Sequence, residues 1–213
     1  MTHCHTQTPH TTSRRRWTTY LAALTGACLT LLPPALYAHK PTPPPVPAGL
    51  EVPSGHKPFL LGHATGTQNY VCIFFGPDFA WTFFGPQATL FNDADEQIIT
   101  HFLSSNPDEG GTARATWQHS RDTSTVWARA VASSSDPAFV EPGAIDWLLL
   151  QVVGADPGPT GGHRLTETTY LQRVHTSGGR APTAGCAEAD DIGTKALVPY
   201  TAAYFFYRAT GDE

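Results

Sequence analysis

Charge is scarce in this chain. Only 15% of its 213 residues are Asp, Glu, Lys or Arg, where a soluble domain usually carries about a quarter. No basic cluster follows residue 16. That excludes a nucleic-acid surface built on phosphate contacts and an electrostatic anchor to anionic lipid. A single Met stands against 11 Phe, 7 Tyr and 5 Trp, so the core is aromatic and rigid rather than adaptable. Gly and Pro, 19 of each, interrupt the chain too often for long helices. The standard chemical signatures are missing too. There is no G-x-G-x-x-G, P-loop, G-x-S-x-G or H-E-x-x-H, which leaves a dinucleotide-dependent enzyme without its fingerprint.

What is present begins with an address. Residues 1–38 contain a basic stretch, Arg14 to Arg16, an apolar run from Trp17 to Leu32, and a small residue, Ala38. These are the parts of a signal peptide, with cleavage expected after Ala38. Arg14-Arg15 after Ser13 also fits a twin-arginine signal, an ordinary secretory signal being the alternative. The run is shorter than the roughly 20 residues of a membrane span. Leu24 to Cys28 resembles a lipoprotein cleavage box, but the apolar run continues beyond Cys28, which favours export without a lipid. Removing Arg14, Arg15 and Arg16 leaves 10 basic residues against 18 acidic, a net charge of −8. The mature protein is thus expected to be secreted or periplasmic and not integral to a membrane. Residues 39–54, with four prolines between 41 and 45, read as a Pro-rich linker of polyproline type. One domain, 55–213, follows.

The mature chain keeps two cysteines, Cys72 and Cys186. An even pair in an exported protein reads as a disulfide, two separate buried thiols being the alternative.

Short strand patterns recur between turn signals. Gln68 to Phe75 is apolar on both faces. Ala80 to Phe84 follows, then an expected turn at Gly85-Pro86. Ala88 to Phe91 and Gln97 to Leu103 form a hairpin around Asn92 to Asp95. Further strands are expected near 116–119, 124–132, 147–153, 166–174 and 198–207. The fold class is therefore all-β, an antiparallel β-sandwich or a closed β-barrel of about nine or ten short strands.

Candidate chemistry is thin. His101, in the stretch ITHF, reads as a general base or metal ligand beside Asp93, Asp95 or Glu96, or as a histidine hydrogen-bonded across its hairpin. The run NDADE at 92–96 lacks the Gly and the final Glu of a calcium loop and reads as a solvated turn, so no metal is expected. Arg173 lies on a strand that otherwise looks packed. It reads either as half of a structural ion pair or as an anion-binding group near Thr176, Gly178 and Gly179. Trp81, Trp117 and Trp127 are candidates for a stacking platform, or simply core.

Taken together, GTQNYVC, GPQATL, ITHF, IDWLLLQVV, QRVHTSGGRAPTAGC and VPYTAAYFFY resemble domain of unknown function 3455, over residues 59 to 207. The resemblance implies Gln68, Tyr70, His101, Trp117, Arg173, Thr176, Gly178, Gly179, Pro182 and the two cysteines as shared features. It implies no activity and no cofactor. The one departure is Asp122-Thr123-Ser124, where the family has D-G-S. The binding candidates are thus Gln68, Tyr70, Trp117 and Thr176, and the catalytic candidates His101 and Arg173. The expected function is an exported binding or structural module with an unidentified extracellular or cell-envelope ligand. A secreted, hydrolase-like enzyme using His101 and Arg173 is the alternative.

Overall fold

The structure is a computed structural model that describes residues 40–211. The expected signal peptide, its twin-arginine pair and Cys28 lie outside the described residues. Eight strands follow in order: β1 (His56–Phe75), β2 (Asp78–Phe91), β3 (Gln97–Asn106), β4 (Thr112–His119), β5 (Thr125–Ser134), β6 (Trp147–Asp156), β7 (Thr168–Gly178) and β8 (Lys195–Ala209). Each pairs antiparallel with the next, and β8 returns to β1, so the sheet closes into an up-and-down barrel. Of the two architectures expected, the barrel is the one formed. None of the described helices is long and apolar enough to cross a membrane.

Eight strands stand where about nine or ten short ones are expected, chiefly because Gly85-Pro86 is not a turn. It lies inside the continuous strand β2. The pairing of β1 with β2 skips one residue there, from Asn69 opposite Gly85 to Tyr70 opposite Phe83. Proline cannot donate to a ladder but is tolerated at such a bulge. The turn at 92–95 forms as expected. Asn92 Oδ1 accepts from the backbone N–H of Ala94 and of Glu96 at 3.0 and 2.9 Å. Thr123 takes the left-handed conformation itself, φ 60°, at a cost of about 1–2 kcal/mol for a residue with a Cβ. Its hydroxyl is tied to that of Thr160 at 2.7 Å.

One face of every strand fills the lumen. Leu90, Ile99, Trp117, Val126, Leu150, Leu171 and Phe206 are buried there in one cluster. Gly62 on β1 lets this packing close, since a Cβ would come within 2.8 Å of Leu90 Cδ2. A second cluster covers the outer face of β6 to β8, where Trp147, Leu149, Val174, Phe205 and Tyr207 form an apolar stripe. That stripe needs a cover, and the segment expected as a free spacer supplies part of it. Leu50 is 1% exposed, Val46 and Val52 pack beside it, and Gln172 Nε2 donates to the Leu50 carbonyl at 2.6 Å.

Cys72 and Cys186 form a disulfide, with Cα atoms 5.5 Å apart across 114 residues of sequence. It ties the far end of β1 to the loop between β7 and β8, at a stabilisation of at most roughly 4–5 kcal/mol. Trp81 Nε1 donates to the Ala184 carbonyl in the same loop at 3.0 Å.

Leu50→Ala should cost about 2–5 kcal/mol, read as a lower urea midpoint. A free spacer at this position would leave the midpoint unchanged.

Candidate functional site

The sequence QRVHTSGG bends the end of β7. His175 has φ 50°, as do Gly178 at 66° and Gly179 at 85° in the same left-handed region. The register with β8 slips between Val174 and Ser177. The second glycine is needed for closeness as well as for φ. A Cβ on Gly179 would meet Tyr200 Cβ at 2.9 Å, Ile145 Cγ2 at 3.0 Å and Gln68 Cγ at 3.1 Å. The bend is held by Thr176 Oγ1 donating to the Ile145 carbonyl at 2.6 Å, Tyr70 Oη donating to the Gly179 carbonyl at 2.7 Å, and Ile145 N–H donating to the Gly178 carbonyl at 2.8 Å. Before the bend, Leu171 and Arg173 share the lumen face, while Gln172 and Val174 turn to the outer cluster.

Arg173 therefore enters the barrel near the end carrying the 107–111, 135–146 and 179–194 connections. It lines a cavity of about 330 Å³ together with Gln68, His101, Trp117 and Tyr204, a volume suited to a small ligand. The space exists because the facing positions are small. Ala113 and Ala115 on β4, Ala128 and Ala130 on β5, and Pro86 on β2 all line it. Leu148 and Leu150 form an apolar wall, and Phe83 and Leu103 an exposed apolar rim.

Three of the lining residues are arginines, and none is an acid. Arg114 is neutralised from outside by Glu109, through hydrogen bonds of 2.7 Å from Nε and Nη2. Among the described residues, Arg129 donates only to Gln151 Oε1, at 3.1 Å. Arg173 has no carboxylate within ion-pair distance among the described residues. Its Nε and Nη2 instead donate to the Asp146 backbone carbonyl at 3.2 and 2.8 Å, and the Asp146 carboxylate faces Arg180 at 3.6 Å. The ion pair considered for Arg173 is thus not formed, and its charge is directed at the cavity.

His101 is 3% exposed. Its ring stacks on Trp117, with centroids 4.2 Å apart and planes 12° apart, and meets the edge of Tyr204. Nδ1 lies 2.8 Å from the Thr116 carbonyl across the β3–β4 pair. A carbonyl only accepts, so Nδ1 carries the proton and Nε2 is left as an acceptor. Burial holds the imidazole neutral, pulling its pKa down to about 3. The Thr116 hydrogen bond opposes this shift, and the charge of Arg173 adds to it. Two donors on residues that line the same cavity have no partner among the described residues, Gln68 Nε2 and Trp117 Nε1, and both atoms are sealed from solvent. The Gln68 amide lies toward the Tyr200 hydroxyl without a hydrogen bond of good geometry.

Four of the six candidates read from the sequence thus share one cavity: Gln68, His101, Trp117 and Arg173. Tyr70 and Thr176 do not line it and act as tethers for the loop above. Of the two readings open for His101, the hydrogen bond across its hairpin is the one formed: the ring is inside the barrel rather than beside the acidic turn, and Asp93 pairs with exposed His63 at 2.8 Å. Of those open for the tryptophans, core packing holds for Trp117, while Trp127 donates to Ser104 Oγ at 2.9 Å and Trp81 to the disulfide loop. Among the described residues, no group of three potential ligands converges on a metal position. Tyr204, Arg114 and Arg129 were missed. Alternation along YTAAYFFY puts Tyr204 on the face of Tyr200, and alternating alanines in ARATW and WARA mark where the lumen is left open.

A larger depression, about 650 Å³, lies at the other end, among the turns after β2, β4 and β6. Its acidic groups are all engaged: Arg208 meets Glu167 at 2.9 Å and Arg121 meets Glu96 at 3.6 Å. Asp122 is occupied by Ser124 Oγ at 2.7 Å and the Arg164 N–H at 2.8 Å. The smaller cavity, with unmatched polar groups, is the candidate site.

The fold and the cavity define a closed eight-stranded antiparallel barrel with an arginine-lined pocket at one mouth. The chain belongs to the family described as Protein of unknown function (DUF3455), which matches residues 53–208. No curated protein and no solved structure matches the chain.

The neutral His101 has a consequence for acid stability. Its pKa in the folded state is below the unfolded value, so the unfolded chain binds the extra proton. Stability is complete above pH 6.5 and falls as pH drops from 6.5 toward 3, by at most about 1.4 kcal/mol per pH unit from this group. His119, also shifted down by burial, acts in the same direction. Asp122 titrates in the same sense but at lower pH. Burial raises its pKa, but the Ser124 and Arg164 hydrogen bonds outweigh this and hold it at about 2, so its contribution is lost only below about pH 3.8. Urea midpoints at pH 7.5, 5.5 and 4.5 should fall more steeply for the wild type than for His101→Phe. Parallel curves would contradict a buried neutral histidine.

Proposed function

We propose that the mature domain is an exported binding module, secreted or periplasmic and not integral to a membrane, whose ligand is a small organic anion held at the arginine-lined mouth. The observation that carries this is Arg173: a half-buried guanidinium that, among the described residues, is bonded only to a backbone carbonyl and lines a cavity without a carboxylate. A guanidinium in such a site retains strong affinity for a planar anion. The apolar wall and rim fit an anion with an apolar body. The disulfide supports an oxidising compartment.

A secreted enzyme is the second reading, favoured by the shared cavity of His101 and Arg173. Acid–base chemistry there has little support. A general base works best with a pKa near the working pH, and His101 is held at about 3.

Calorimetric titration with benzoate and acetate tests the binding reading. Benzoate should bind more tightly than acetate, with affinity falling as salt rises. Arg173→Met should lower benzoate affinity at least about tenfold, as loss of a charge-assisted hydrogen bond does. Arg129→Met, at the exposed rim, should lower it by only about two- to threefold. Absence of anion binding, or binding indifferent to Arg173, would overturn the reading.

A further inference from the structure

The polar groups of the cavity form an uneven set. Arg173, Gln68 Nε2 and Trp117 Nε1 are donors, and the last two are unpartnered on residues 3% and 0% exposed. Beside them, with Gln68 Oε1 and the Tyr204 hydroxyl as further possible acceptors, stands His101 Nε2. Its role cannot be exchanged, because Nδ1 is committed to the Thr116 carbonyl and burial prevents the second nitrogen from taking a proton. A simple carboxylate offers lone pairs only. It would satisfy Arg173 and leave His101 Nε2 facing either an acceptor or an apolar atom. A buried polar group left unmatched weakens binding by about ten- to a hundredfold. A ligand that matches the whole set carries an anionic group and, on the same small body, a hydroxyl that can donate.

We propose that the pocket takes a hydroxylated carboxylic acid with an apolar, ring-sized body, its carboxylate on Arg173 and its hydroxyl donated to His101 Nε2. This rests on the anion-binding reading above and adds the second functional group. Leu148, Leu150 and Phe83 line the same space and offer apolar contact to an aromatic body. About 330 Å³ of space holds a single ring with its substituents. Tyr204, whose hydroxyl has only the Tyr200 hydroxyl near it at 3.5 Å, offers a further donor or acceptor to the same ligand.

The test compares benzoate, phenol and the three hydroxybenzoates, titrated calorimetrically into the disulfide-intact wild-type protein at pH 7. At least one hydroxybenzoate should bind about tenfold or more tightly than benzoate, and phenol should bind more weakly than either acid. The preference should hold unchanged from pH 8 to pH 5.5, since the acceptor does not titrate there. In His101→Phe, which keeps a ring against Trp117, the ratio of hydroxybenzoate to benzoate affinity should collapse toward one. If that variant does not fold, the wild-type ratio and its pH profile still decide. Equal affinities for benzoate and all three isomers would overturn this inference and leave anion binding intact. Failure of every acid to bind would overturn both. A preference that appears only below pH 6 would show His101 acting as a cation, which also contradicts the proposal.

Discussion

Everything at the mouth depends on the pairing of β1 with β8. β1 runs for 20 residues and is hydrogen-bonded on both sides, to β8 from His56 opposite Ala209 up to Val71 opposite Lys195, and to β2 from His63 to Phe75. This seam turns a sheet with two vulnerable edges into a barrel with none. It also creates an interior. Without closure, His101 would be one polar residue on a half-solvated face. With it, His101 is sealed against Trp117 and Tyr204 and loses its usual titration.

Closure brings a second constraint. A narrow barrel must be filled by side chains, and Leu90, Ile99, Trp117 and Phe206 fill its middle. Near the mouth the filling stops, because β4 and β5 present alanines. The groups that remain around the gap are polar and imperfectly satisfied. Arg173 rests on a carbonyl, Gln68 and Trp117 lack partners, and His101 offers a lone pair. Such a cluster is a cost to folding, and proteins tolerate such costs chiefly at functional sites. The bent GG segment after β7 holds the arrangement in place through Tyr70, Thr176 and Ile145. In this way the most distinctive stretch of the sequence is explained by local geometry.

Much of this was legible in the sequence. The alternation of apolar residues gave the strands, and the cysteine count gave the disulfide. An arginine on a packed strand pointed to a site. The misreadings have physical causes. Gly85-Pro86 carries the composition of a turn but serves as a bulge, a distinction that depends on the partner strand. The Pro-rich segment looked solvated because nothing local shows the apolar stripe on β6 to β8 that Leu50 covers. For His101 the sequence left two readings open, because proximity to the acids is visible in it, whereas the facing of a barrel strand depends on register. The cavity itself was overlooked because it is defined by what alanines leave empty.

The central claim is that the unpartnered groups of the mouth await a ligand. The most direct measurement is the set of tryptophan indole N–H resonances in a proton–nitrogen correlation spectrum, followed during titration with a hydroxybenzoate. Trp117 and Trp147 both have buried, unpartnered indole N–H groups, one lining the cavity and one on the outer face, so the second serves as an internal control. The account predicts that the Trp117 signal and the Gln68 side-chain amide shift together and saturate while Trp147 stays still. Movement of Trp147 or Trp81 alone, or no saturable shift at Trp117, would contradict it.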